Sequence, residues 1–293
     1  MDQDVIRLRD VKTELSGYIT EAMQLLTKTP VPDDDSVHDM RVLLKKSRAV
    51  LKLIEPQVES EFKQKDIQSL KEAAKLMTSW RDSTVHRKTL RDLKKEYPGL
   101  FEQLAVNERL NNLITKADKP DEPSPEMKVE IDRIGELLKK TAYRIRFQNM
   151  QNFDANVLLK ELEDTYIRAV DQFLICRNKP KEANLHEMRK RTKDFLYQLH
   201  FFRPMNSQVI KTLEKKLDSL TRNLGKVNDI AQLIRALDYK YPDENNSPEL
   251  NELIVRMRER QDKYLRKVWP SASKIFSPGR KLVNLLGYKI LVI

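Results

Sequence analysis

Residues 37–56, VHDMRVLLKKSRAVLKLIEP, recur 148 positions later as LHEMRKRTKDFLYQLHFFRP at 185–204. The two stretches match His38 with His186, Met40 with Met188, Arg41 with Arg189, Lys45 with Lys193, Leu51 with Leu199 and Pro56 with Pro204. The register extends upstream without a gap, pairing Lys12 with Lys160, Tyr18 with Tyr166, Ile19 with Ile167 and Pro32 with Pro180. Downstream it slips by one residue and sets TSWRDSTV (78–85) over GKVNDIAQ (225–232), with Asp82 opposite Asp229. Self-similarity at a fixed offset restricts the chain to architectures assembled from two like units.

Each copy carries an apolar row at helical spacing. It reads Val37, Met40, Leu44, Ser47, Leu51 and Ile54 in the first copy, and Leu185, Met188, Thr192, Phe195, Leu199 and Phe202 in the second. That is the period of a face packed in a helical bundle. One position after the apolar row of the first copy runs a basic one, His38, Arg41, Lys45, Arg48 and Lys52, spaced 3, 4, 3, 4. On a helix the two rows lie about 100° apart, so the cations border the buried face instead of lying opposite it. Like charges stacked this way destabilise a free helix by a few tenths of a kcal/mol per neighbouring pair. A chain keeps such a row when something negative lies along it, or when a solvated face has merely collected lysines. A solvated face tends to mix both signs of charge and to lack a histidine at its head, and the second copy favours the groove wall.

Among 293 residues 34% are charged, 40% are hydrophobic and only six are glycine, which suits long helices and leaves little room for a turn-rich sheet protein. The net charge of +11 and the pI near 9.5 point to a polyanionic partner, whether nucleic acid, an anionic membrane or a phosphate polymer. The single cysteine, Cys176, excludes an internal disulfide framework. No run of about 18 apolar residues and no N-terminal apolar core of a leader is present, so the expectation is a protein of the reducing cytoplasm without a transmembrane segment.

The periodicity predicts helices over 2–28, 36–55, 58–79, 82–96 and 99–116, with Ser36 as N-cap of the segment carrying the basic row. KADKPDEPSPE (116–126), with three prolines, reads as the boundary between the halves. Helices then follow over 126–150, 156–177, 184–203, 206–224, 227–240 and 248–268, with YPDENNSP (241–248) as a polar loop. The fold class expected is all-α: two antiparallel four-helix-bundle repeats related by a pseudo-twofold, 1–120 and 121–270, followed by a C-terminal tail, 271–293.

The duplicated H-x-x-R-x-x-x-K helix starts, each ending in a proline, are followed about 43 residues on by Arg81-Asp82 and Asn228-Asp229. In this the chain resembles the CHAD domain, the conserved histidine α-helical domain, over roughly residues 2–268. The resemblance implies two helical bundles around a basic central channel and binding of inorganic polyphosphate, with no catalysis by the domain itself and no cofactor. Association with polyphosphate granules is a further expectation of it. Many members of that family are fused to a CYTH-type triphosphate-processing domain, and no such segment lies in these 293 residues.

Carried over by position, the pattern implies polyphosphate contacts from His38, Arg41, Lys45 and Arg48, with Lys52 continuing the row, and from His186, Arg189 and Lys193, with Lys190 beside them. Arg191 and His200 are neighbours that compensate a departure: at Leu196, the position opposite Arg48, many second copies carry an arginine. Lys75 opposite Arg222, with Arg81 and Lys226 nearby, extends the basic set to the next helices.

Polyphosphate carries charge without base or sugar edges, so its binder needs spaced cations and no hydrogen-bond code. Arginine offers a planar fork for two oxygens and lysine a mobile point charge. Affinity for such a polymer falls steeply with salt, and bound phosphate shifts a histidine of pKa about 6.5 toward its charged form, strengthening binding at mildly acid pH. Nucleic-acid binding is the alternative served by the same charge, but no aromatic-interleaved basic surface or recognition-helix motif is present. A phosphate-processing enzyme is a lesser alternative, for which neither GxxxxGK[ST] nor clustered acidic ligands appear.

Blander roles are expected elsewhere. His38-Asp39 has the look of the metal-binding dipeptide of HD-type phosphohydrolases, but the second copy reads His186-Glu187 and no metal site is expected. Asp82 and Asp229 suit helix capping, Tyr18 and Tyr166 the core or a helix crossing, and Cys176 a semi-buried inert thiol. The tail KIFSPGRKLVNLLGYKILVI is too short to span a bilayer and is expected to dock back on the bundle; the alternatives are a dimer contact or an interfacial anchor through Arg280, Lys281 and Lys289.

Overall fold

The computed structural model describes residues 8–115, 122–150, 152–238 and 247–288, apart from the side chains at 79, 81–84, 109, 114 and 115. All regular structure among them is helical. The chain runs through α1 (Val11–Leu26), α2 (Asp34–Leu53), α3 (Ser60–Leu76), α4 (Thr78–Glu96), α5 (Pro98–Gln103) and α6 (Glu108–Thr115). It continues through α7 (Pro125–Phe147), α8 (Ala155–Asn178), α9 (Glu182–Leu199), α10 (Ser207–Asp238), α11 (Pro248–Ile275) and α12 (Leu282–Leu285).

The repeated segments are α2 and α9, and all twelve residues of their apolar rows are buried. Asp33, not Ser36, caps α2: its carboxylate accepts from the Ser36 N–H at 2.6 Å, and Asp34 and Asp35 add negative charge to the first turn. A short 3-10 turn ends each copy, at Glu55–Gln57 and His200–Phe202, just where the prolines Pro56 and Pro204 stop an α-helix from continuing. The two copies also pack on each other. Gln198 Nε2 donates to Ala49 O at 3.0 Å, and Lys52 Nζ lies 2.5 Å from Asp194 Oδ2 across the same seam.

Helices α1, α2, α3 and α7 pack in a cycle, so α7, which follows the proline-rich segment, folds back onto the first copy. Helix α9 packs on both α8 and α10, and a single apolar core runs from this group into the first through the α2–α9 seam. A second, smaller core joins α4, α5 and α6 to the distal half of α10 and the start of α11. One consequence positions the site: α2 packs on α4, α4 on α10, α10 on α9 and α9 on α2, closing a ring of four helices.

Several boundaries differ from the sequence expectation. The helices expected over 206–224 and 227–240 are one helix, α10, because Gly225 does not interrupt it. A Cβ there would lie 3.3 Å from Arg189 Nε, so the glycine marks a close approach of α9 and not a break. The helix expected over 99–116 is broken into α5, a 3-10 turn and α6. Helix α11 passes Pro270 and reaches Ile275, past the expected end at 268. Cys176 is fully buried, not semi-buried, and burial pushes its thiol up to about 11. Tyr166 is core, its hydroxyl donating to Ile275 O at 2.9 Å.

The tail docks as expected through residue 288: Phe276, Leu282 and Leu286 are buried in the main core. Asn206 Nδ2 donates to Leu286 O at 3.1 Å and Tyr288 Oη to Met205 O at 3.0 Å. Gly287 turns the chain there with φ +87°, a conformation that L side chains rarely adopt. Lys289 lies outside the described residues. No helix among them is long and apolar enough to cross a membrane.

Candidate functional site

The basic row of α2 reaches several destinations. Arg41 turns toward the C-terminus of α3, where its Nη1 donates to Ala74 O at 2.6 Å and to Thr78 Oγ1 at 3.3 Å. A guanidinium is well placed at such an end, where the last carbonyls have no helical partner and carry partial negative charge. Lys45 is half-buried on the same face. Arg48 is half-buried and its pKa is held down by desolvation, partly offset by Asp194. Lys52 is tied to that same Asp194. His38 is exposed at the start of the row, and Lys75 is exposed near the end of α3. The Arg81 and Asp82 side chains lie outside the described residues.

The row of α9 is held by other partners. His186 Nδ1–H donates to Asn228 Oδ1 at 2.9 Å, and Lys190 and Arg191 both pair with Glu187 near the helix start. Arg189 points at α10 beside Gly225, and its Nε is buried with no hydrogen-bond partner among the described residues. Lys193 Nζ is 3.7 Å from Asp218, at the outer limit of an ion pair, and 5.4 Å from the Tyr197 ring centroid. Burial pushes the Lys193 ammonium below the usual lysine range; Asp218 opposes that shift, while Arg189 and Lys46 add to it.

Beside Lys193, and sharing its neighbours Tyr197 and Asp218, lies a cleft of about 490 Å³ walled by α1, α2, α9 and α10, whose lining includes neither Lys193 nor Arg189. Lys46 enters it from α2, with its Nζ 5.2 Å from the Tyr18 ring centroid, and Lys211, Lys215 and Arg222 enter from α10. Along α10 the positions 211, 215, 218 and 222 repeat the 4, 3, 4 spacing of the α2 row, with Asp218 as the one acid among them. Arg222 Nε pairs with Asp218 at 3.2 Å while its side chain stays largely exposed. Tyr197 forms part of the wall, its hydroxyl pushed up to about 12 by burial, and so remains neutral at ordinary pH.

One end of this cleft is braced by Glu214. Its carboxylate accepts from Arg203 Nε at 2.7 Å and lies 3.6 Å from His200, which also faces Glu14 at 3.8 Å. Burial tends to raise the Glu214 pKa, but His200 and Arg203 hold it below the usual range. The acid thus fixes Arg203 and His200 in place while the lysines beyond it stay open.

A wider cleft of about 690 Å³ lies at the other end of α2, where Asp34, Asp35 and His38 face Arg87, Arg91 and Lys94 of α4. The candidate residues are therefore not gathered in one pocket: His38 lines this cleft, Arg222 the other, and Arg41 and Lys52 brace helix contacts. Lys46, Tyr18, Lys211 and Lys215 are additional wall residues; Tyr18 is half-buried, packing against the main core on one side and bordering the cleft on the other. The α10 row was readable as a spacing, but Lys46 sits one position off the α2 row and carries no such signal. Among the described residues no three His, Cys, Asp or Glu side chains group so as to hold a metal ion.

The family model of the CHAD domain matches residues 20–238. The crystal structure of the CHAD domain from the plant Ricinus communis superposes with a TM-score of 0.59 at 15% sequence identity, covering 94% of this chain and 95% of that one. A comparison with curated proteins returned no match.

Proposed function

The chain belongs to the CHAD domain family, and from that premise we propose that it binds inorganic polyphosphate, without catalysis, along the cations that α2, α9 and α10 bring together. The observation that carries this reading is the group Lys46, Arg189 and Lys193. These side chains lie near enough to depress the Lys193 pKa, in a half-buried place where Asp218 is the acid facing them. Three cations held together with so little compensation create a positive potential that a polyanion neutralises. The buried Arg189 Nε–H is a donor awaiting an acceptor, and phosphate oxygens supply one.

The path has the right form for a flexible polymer. It passes from the helix ring to a cleft whose far wall repeats cations along α10, so successive phosphates meet successive side chains. Tyr18 and Tyr197 hold Lys46 and Lys193 over their ring faces and limit how far each ammonium wanders.

The test is a titration of long-chain polyphosphate, single-stranded RNA and duplex DNA against the protein at two salt concentrations, with phosphate release followed in the same samples with added divalent metal. Polyphosphate is expected to bind at least tenfold more tightly than either nucleic acid, with affinity falling steeply as salt rises and with no phosphate released. Equal affinity for RNA or DNA overturns the reading in favour of nucleic-acid binding, and metal-dependent phosphate release overturns its non-catalytic part.

A further inference from the structure

The wider cleft beside α4 has a different chemical make-up from the polyphosphate path. Arg87, Arg91 and Lys94 stand at 4 and 3 spacing, one above the next over about 10 Å of helix. Arg87 Nη2 reaches Asp34 Oδ2 at 3.5 Å, but its Nε is buried without a hydrogen-bond partner among the described residues. Arg91 and Lys94 are exposed and make no ion pair among the described residues. The floor between this row and α2 is apolar: Leu90 and Phe101, both buried in the second core, line it. Opposite the cations stand the carboxylates of Asp34 and Asp35.

An inorganic phosphate chain uses only part of that lining. It gains nothing from Leu90 and Phe101 and is repelled by the two carboxylates. A ligand that fits all three elements has phosphates for the α4 row, hydroxyl donors for Asp34 and Asp35, and a planar apolar-faced group for the floor. A cleft of about 690 Å³ lies in the usual range for small-molecule sites. We propose that this cleft is a separate binding site for a nucleoside polyphosphate, with its phosphates on Arg87, Arg91 and Lys94, its ribose hydroxyls donating to the Asp34 and Asp35 carboxylates, and its base against Phe101 and Leu90. The site's cations lie on α4, apart from Lys46, Arg189 and Lys193, which carry the polyphosphate reading; of the α2 row only His38 lines it.

Isothermal titration with ATP, tripolyphosphate and adenosine tests the assignment on three proteins: the wild type, a double variant Arg91→Glu/Lys94→Glu at exposed positions, and Arg189→Ala/Lys193→Ala in the other path. ATP is expected to bind the wild type and the Arg189/Lys193 variant alike, at least tenfold more tightly than tripolyphosphate binds the latter. It is expected to lose tenfold or more on the Arg91/Lys94 variant, while long-chain polyphosphate affinity there stays within about threefold. Circular dichroism of that variant checks that both cores remain folded. Three results overturn the proposal: no ATP binding to the wild type, tripolyphosphate matching ATP on the Arg189/Lys193 variant, or ATP binding that follows Arg189 and Lys193 instead of Arg91 and Lys94. Loss of polyphosphate binding on the Arg189/Lys193 variant with ATP binding intact leaves each site judged by its own ligand.

Discussion

Helices α2 and α9 carry the same motif, yet their cations are held differently. In α2, Arg41 is fixed to the Ala74 carbonyl at the end of α3, and Lys52 to Asp194 across the seam. In α9, the matching Arg189 keeps a buried Nε without a hydrogen-bond partner among the described residues, and Lys193 stands in a lowered-pKa environment with Asp218 at 3.7 Å. The copy that has fewer basic residues along its row, with Leu196 opposite Arg48, is thus the one whose arginine keeps a buried donor open among the described residues. Repetition of a motif transmits the position of a cation and not its partner, and the partner decides whether a charge braces the fold or waits for a ligand.

The largest expected effect separates these roles by stability. Arg41→Ala removes a charged hydrogen bond at a helix end and is expected to cost about 1.5–3 kcal/mol, roughly 5 °C in Tm, with a smaller relative loss in polyphosphate affinity than Arg189→Ala. Thermal unfolding and titration of the two variants check this, and an Arg189→Ala variant that loses as much stability as Arg41→Ala erases the contrast.

Lys193→Met is expected to move stability the other way. It relieves a desolvated cation crowded by Arg189 and Lys46, so Tm rises by about 2 °C while polyphosphate affinity falls about tenfold. The sign with pH is fixed by linkage. The folded-state pKa of Lys193 lies below its unfolded value of 10.5, so between the two values the unfolded chain binds more protons and stability increases as pH rises through that window. Polyphosphate affinity of the wild type falls over the same window as the ammonium deprotonates. Urea unfolding and titration at a series of alkaline pH values check both slopes, which Lys193→Met flattens.

A smaller effect is expected from Gly225→Ala. Alanine is favoured in a helix interior by about 1 kcal/mol, but the added Cβ crowds Arg189 Nε at 3.3 Å and shifts the guanidinium. Affinity is expected to fall severalfold with no loss of Tm, a separation that calorimetry with and without polyphosphate resolves. The smallest change is Leu196→Arg, which restores the charge missing from the second row at the wall of the cleft. A two- to fivefold gain in affinity is expected, and no gain places that wall outside the polymer path.

Much of the fold was legible because the apolar rows obey one period: all twelve row positions are buried. The errors fall where a residue type has two uses. Gly225 reads as a helix break yet serves a close approach, and Ser36 reads as a cap yet donates its N–H to the real one, Asp33. The site was half legible. Arg189 and Lys193 follow from the repeat, but Lys46 and Tyr18 join them only because α1 and α2 present adjoining faces to α10, a matter of packing between distant segments.

The most direct test of the account is the salt dependence of polyphosphate binding in two double variants, Arg189→Ala/Lys193→Ala and Arg41→Ala/Lys52→Ala. Each phosphate contact contributes a slope of roughly 0.7–0.9 in log K against log salt, by analogy with nucleic acids. The account predicts that the slope drops by roughly 1.5 for the Arg189/Lys193 variant and stays at the wild-type value for the Arg41/Lys52 variant. Equal drops in both, or a drop confined to Arg41 and Lys52, would contradict it.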